Sequence, residues 1–319
     1  MTSIGYQASH EQIKPSELLR LASLAEQAGF TCINSSDHFH PWSERQGQSG
    51  FSFAWLGAAM QKTSLPFGVV CAPGQRYHPA IVAQAAATLA EMFPKRFWLA
   101  LGSGEAINEL ITGDKWPDKK ERNARLLECV DVIRQLFAGK TVRHQGLVKI
   151  ENARLYTLPE ILPPIIGAAV SKETAAWVGS WADGLITVSK PAKELKETVD
   201  AFRKNGGEGK PVYLKTQISY SRNKESAING AFSQWKTNIF QGTVLGDMPT
   251  PAHFDAAAEF VRPDDVAKMV RISSDLDEHI HWIKQDMALG IEKIILHNVN
   301  LEQDVFIQDF GHHVLPKLS

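Results

Sequence analysis

Apolar positions along the chain follow two rhythms that take turns. Short runs rich in Val, Ile and Leu read as strands: SIGYQA (3–8), TCINSSDHF (31–39), PFGVVCA (66–72), RFWLALGSG (96–104), PIIGAAV (164–170), DGLITVS (183–189), PVYLKTQISYS (211–221) and KIILHNV (293–299). Each is followed by a stretch with helical spacing. Leu18, Leu21, Ala22 and Ala25 fall at i, i+3, i+4 and i+7 before Gly29, and residues 119–137 put Leu126, Leu127, Val130, Ile133, Leu136 and Phe137 on one face. The strand runs alternate little, which fits a parallel sheet buried on both faces. Eight such β/α units predict an α/β fold, a (β/α)8 TIM barrel forming a single domain over 1–319. A doubly wound sheet would carry G-x-G-x-x-G after the first strand, and SIGYQASHEQ has none. Two stretches interrupt the rhythm: 141–159, which reads as a hairpin around Gly146, and 241–262, which reads as an irregular insertion.

Composition narrows the partners. With 319 residues and 44% hydrophobic content, the chain can bury a large core. A net charge of −1 without a basic stripe argues against nucleic acid. No apolar run approaches the ~18 residues of a membrane helix, and the N-terminus MTSIGYQASHEQ does not resemble a signal peptide. Cys32, Cys71 and Cys129 form no disulfide framework. A cytoplasmic location is the resulting expectation.

The chemistry of a TIM barrel sits at the C-terminal ends of its strands. There the stretch SSDHFHPW places Asp37, His38, His40 and Trp42 after the second strand, and LALGSGEAINE places Glu105 and Asn108 after the fourth. Ser171 follows the fifth strand, Ser189 and Lys190 end the sixth, and His297 ends the eighth. Two histidines and a carboxylate in four positions suit a metal. Yet no HxH or HExxH accompanies them, and neighbours on a strand end point apart, so no metal is expected. His40 reads as a solvated loop histidine. Gly102-Ser103-Gly104 allows a ligand to approach the backbone, and Glu105 suits either an acid/base role or mere complementation of a helix dipole.

SDHFHPW, APGQRYHP, LGSGEAINE, WADGLITV and ILHNV occur in this order. Together they resemble the luciferase-like superfamily of flavin and deazaflavin oxidoreductases. The branch most similar contains the coenzyme F420-dependent glucose-6-phosphate dehydrogenases. The resemblance spans essentially the whole chain. It implies His38 and Glu105 as catalytic residues, and Asp37, Val69, Val70, Ala72, Asn108, Val170 and Ser171 as cofactor contacts. It implies Trp42 as a substrate-shaping residue, and a non-proline cis bond at Val69–Val70. We place Ser189, Lys190 and His297 beside Trp42 in the substrate pocket. The four residues that hold the sugar phosphate in that branch fall at Val188, Pro191, Leu245 and Met269, with Lys190 and Arg271 nearby. Glucose 6-phosphate is therefore not the expected substrate. The string SDHFHPWSERQGQSGF is most similar to a subgroup expected to use FMN, so FMN is favoured over coenzyme F420. The expected activity is hydride transfer to or from a small organic substrate. The alternative is a two-component FMN-dependent monooxygenase supplied by a flavin reductase. A homodimer is the usual assembly of such proteins.

Overall fold

The computed structural model describes residues 2–318. Eight parallel strands are β1 (Ser3–Ala8), β2 (Cys32–Ser35), β3 (Phe67–Cys71), β4 (Phe97–Leu101), β5 (Ile165–Ala168), β6 (Gly184–Val188), β7 (Val212–Tyr220) and β8 (Lys293–Asn298). Each pairs with the next, and β8 returns to β1, which closes the expected (β/α)8 barrel.

The pleat decides what fills it. Alternate residues Cys32, Trp98, Ala100, Ile166, Ile186, Tyr213 and Ile295 meet in an interior cluster, while the other face packs against the helices. Trp98 lies over Gly68, where any Cβ would overlap the indole. Its ring meets Tyr213 edge-on at 5.7 Å. Lys293 sets its ammonium 4.9 Å from the Tyr213 ring at the strands' N-terminal end. These side chains fill the barrel axis there and line a cavity of about 300 Å³; the loops that carry the predicted site residues lie at the opposite end, the mouth.

The helix Pro15–Gln27 starts on proline and buries Leu18, Leu21, Ala22 and Ala25. Gly29 ends it with φ +96°, a left-handed turn that glycine adopts without steric cost. Asp118 caps the helix Lys119–Phe137 by accepting from the Glu121 amide. On that helix Leu127 departs from expectation and lies 38% exposed.

The hairpin appears as Val142–Gln145 paired with Lys149–Ala153. The second insertion is not irregular. It holds the helices Gly242–Asp247 and Pro251–Ala257, followed by Pro263–Ala267 and a short strand, Arg271–Ser273, alongside the end of β7. Pro263 opens a helix where the sequence pattern predicts one over 263–270, whereas Pro251 opens a helix inside the stretch read as irregular, which hid that element from periodicity.

The described residues contain no cis peptide bond, so the Val69–Val70 expectation is corrected. Val69 faces Leu99 and Val70 faces Ala100 in unbroken register, leaving no extra residue to form a bulge. All three cysteines are buried and free. No helix among the described residues is long and apolar enough to cross a membrane.

Candidate active site

Beyond β2 the chain turns through Asp37–Trp42; beyond β4 a single helical turn, Ala106–Glu109, faces it. Asn108 joins the two. Its Oδ1 accepts from the amides of Phe39 (2.9 Å) and His40 (3.4 Å), which fixes the amide's orientation. Its Nδ2 then donates to His38 Nδ1 over 3.1 Å. A neutral His38 must therefore carry its proton on Nε2. The Trp42 ring lies 4.5 Å from His38 and 5.3 Å from Phe254 of the second insertion. His40 is not a free solvated side chain: its Nδ1 donates to the Ile107 carbonyl at 2.7 Å and ties the loop down.

Two carboxylates flank the protonated nitrogen. His38 Nε2 is 3.7 Å from Glu11 Oε1 and 3.8 Å from Glu105 Oε2. Burial would raise the Glu11 pKa. His38 and the hydroxyls of Ser9 (2.7 Å) and Ser36 (2.8 Å) outweigh it and hold Glu11 down at about 2. Glu105 shifts the other way: burial raises it, and His38 and Lys215 only partly oppose this. A pair of carboxylates pushed apart is a mark of divided acid/base labour. Lys215 has its pKa lowered by burial, against the pull of Glu11 and Glu105.

Asp37 points elsewhere. Its carboxylate accepts from Ser52 Oγ (2.8 Å), the Tyr77 hydroxyl (3.0 Å) and Arg76 Nη2 (2.9 Å), with its side chain 1% exposed. Arg76 also lies 3.4 Å from Glu109. This buried Asp37–Arg76–Glu109 cluster anchors both mouth loops from behind.

Val70, Ala72, Gly102 and Ala168 are the inward-facing residues at the top of β3, β4 and β5, and all but Ala72 are partly exposed. A Cβ built on Gly102 meets nothing nearer than Ala168 Cβ at 3.6 Å. This low, open floor fits a flat ring. Ser171 caps the helix Lys172–Gly179 by accepting from the Thr174 amide, beside the half-exposed Val170. Glu173 is held low by its own backbone amide and the Ser171 hydroxyl, so an incoming phosphate would displace that exposed carboxylate.

The remaining predicted residues divide. Ser189 donates to Gln217 at 2.8 Å. Lys190 turns away from His38 to the Val170 carbonyl and Thr198. Arg271 is fully engaged by Asp286 at 2.6 and 2.9 Å. His297 is buried, donates to Gln12 Oε1 at 2.9 Å, and is depressed to about 3 by burial and by Lys215. No group of metal-ligating side chains is found among the described residues.

The sequence reading missed Glu11, Arg76 and Phe254, and placed Lys215 near the end of the seventh strand without giving it a role. Strand parity held a signal for Lys215, which sits two residues beyond the inward Tyr213. Glu11 lies in the loop just past β1, where no motif marked it.

A family model described as luciferase-like monooxygenase matches residues 1–293. F420-dependent glucose-6-phosphate dehydrogenases of Mycobacterium tuberculosis (strain ATCC 25618 / H37Rv) and Mycolicibacterium gilvum (strain PYR-GCK) are 33% and 35% identical to the chain, across 99% of it and 97% of each relative. Among solved structures, an F420-dependent secondary alcohol dehydrogenase in complex with an F420-acetone adduct superposes with a TM-score of 0.91 at 29% identity, covering 100% of this chain and 99% of that one. A coenzyme F420-dependent tetrahydromethanopterin reductase from Methanopyrus kandleri shares the fold at a TM-score of 0.80 and 20% identity, over 100% of this chain and 99% of that one. The match runs from the first strand into the last, and the protein belongs to the luciferase-like monooxygenase family.

Proposed function

We propose that this enzyme moves a hydride between a flavin-type ring, FMN or its deazaflavin counterpart F420, and the oxygen-bearing carbon of a small organic substrate. The observation that carries this reading is the convergence of His38 Nε2 with two oppositely shifted carboxylates beside an open floor of small residues. Val70, Ala72, Gly102 and Ala168 would hold the ring, and Ser171 with its helix amides the phosphate. When bound, the ring supplies hydride acceptance and donation.

The protein's residues do the rest. Trp42, wedged between His38 and Phe254, presents a ring face for the substrate body. His38 Nε2–H donates to the substrate oxygen and stabilises charge developing there. Glu105, with its raised pKa, exchanges the proton of that oxygen. Glu11 stays ionised and steadies the imidazole. Asn108 keeps Nδ1 occupied, so the proton stays on Nε2.

Glucose 6-phosphate, the substrate named for the two relatives, does not suit this site. Of the cations near the expected phosphate position, Lys190 and Arg271 are engaged by other partners. The relatives' names favour F420, whereas the string SDHFHPWSERQGQSGF favours FMN; the ring platform suits both.

Anaerobic single-turnover mixing of loaded protein with alcohols and carbonyl compounds tests the reading. His38→Ala should retain the ring but slow its reduction by about 10²-fold or more. Unchanged single-turnover rates would sink the assignment. Oxygen uptake coupled to product would instead identify a monooxygenase.

A further inference from the structure

Lysine occurs twice on the barrel strands. Lys293 lies at the N-terminal end against Trp98 and Tyr213. Lys215 lies two residues past the inward-facing Tyr213, so strand parity aims it into the barrel toward the mouth. Its ammonium makes no hydrogen bond or ion pair among the described residues and sits 6.0 Å from the Trp235 ring. Half-buried at the mouth, this ammonium is open to a ligand and has no protein partner to displace.

Its surroundings are built for a ligand. The His297 ring stands 4.8 Å from the same Trp235. Gln12 donates both protons of its Nε2, to Gln234 and the Val299 carbonyl, so its Oε1 must accept from His297 Nε2–H. That leaves His297 Nδ1 a bare acceptor, buried and without a partner. Glu11 and Glu105 are near enough to act on Lys215 electrostatically yet pair with it in neither case. With Glu11 ionised and Glu105 protonated the cluster is neutral, so with its one unpaired ammonium it disfavours a dianion more than a monoanion.

We propose that Lys215 binds the carboxylate of a monoanionic substrate and thereby sets the substrate class as hydroxy or oxo acids with an apolar body. Trp42 and Trp235 receive that body. Calling the ligand a substrate rests on the oxidoreductase reading; the binding itself does not, since it needs no ring.

Calorimetric titration of the purified full-length chain with benzoate, benzamide and glucose 6-phosphate tests it. Benzoate should bind about tenfold or more tighter than benzamide and glucose 6-phosphate. Lys215→Met should erase the preference over benzamide, and Lys215→Arg should keep it. If the Met variant melts well below the parent, Lys215→Gln serves in its place. Equal binding of benzoate and benzamide by the unmodified protein overturns the proposal, as does a preference that survives loss of the cation. Either failure leaves the oxidoreductase reading intact, because ring binding and reduction are measured separately.

Discussion

Asn108 donates its side-chain amide to His38 Nδ1 at 3.1 Å, and it can do so only because the Phe39 and His40 amides hold its oxygen the other way. One residue therefore fixes loop shape and imidazole tautomer together. Asn108→Ala removes both. We expect a fall in kcat of about tenfold to a hundredfold with the ring still bound. Stability should drop by about 1–3 kcal/mol, since two loop amides lose their acceptor. Steady-state kinetics beside denaturant unfolding checks this; an unchanged kcat would show that the tautomer is immaterial.

Glu11 and Glu105 should leave opposite marks on the pH profile of stability. Glu11 is depressed in the fold, to about 2. Its contribution is present above the ordinary carboxylate range and is lost as pH falls toward 2, on the order of 3 kcal/mol in total. Glu105 is raised, so its contribution is complete below the ordinary range and is lost as pH climbs through its folded value. Glu11→Gln should flatten the acid limb, and Glu105→Gln should gain on the parent as pH rises. Urea melts across the pH range decide both.

The raised Glu105 also sets a direction for catalysis. Alcohol oxidation needs its ionised form and should rise with pH through its folded pKa. Carbonyl reduction needs the protonated form and should fall through the same value. Glu105→Gln should abolish both limbs, and a limb that persists would belong to another group.

Asp37 is a buried partner of Arg76, not a group facing the mouth. Asp37→Ala leaves Arg76 paired with Glu109 but strips Arg76 Nη2, Ser52 Oγ and the Tyr77 hydroxyl of a buried acceptor, and should destabilise by about 2–4 kcal/mol. A loss below about 1 kcal/mol would mean that the cluster is well hydrated.

Much of this was legible before any coordinates. Strand and helix rhythm set the barrel, because each strand buries both faces and each helix only one. The order of SDHFHPW and GSGEAINE brought His38, Glu105 and Asn108 to one place, as found. Side-chain direction was less legible. Asp37 and His38 are adjacent in sequence, yet one turns into an ion cluster behind the loop and the other into the mouth. Lys190 was expected near the substrate, but it bonds to the Val170 carbonyl across a neighbouring strand, a contact no local pattern reveals. Phe254 was hidden because its helix begins at a proline inside a stretch read as irregular.

The central claim is that a flavin-type ring lies on the floor made by Val70, Ala72, Gly102 and Ala168. Equilibrium titration of the purified protein with FMN and with F420, followed by cofactor fluorescence, tests it most directly when repeated on Gly102→Leu. The Cβ of that variant has room, while the rest of its side chain enters the mouth. Saturable one-to-one binding of at least one cofactor, weakened about tenfold or more in Gly102→Leu, is the predicted result. No binding of either, or equal binding by both proteins, would contradict it.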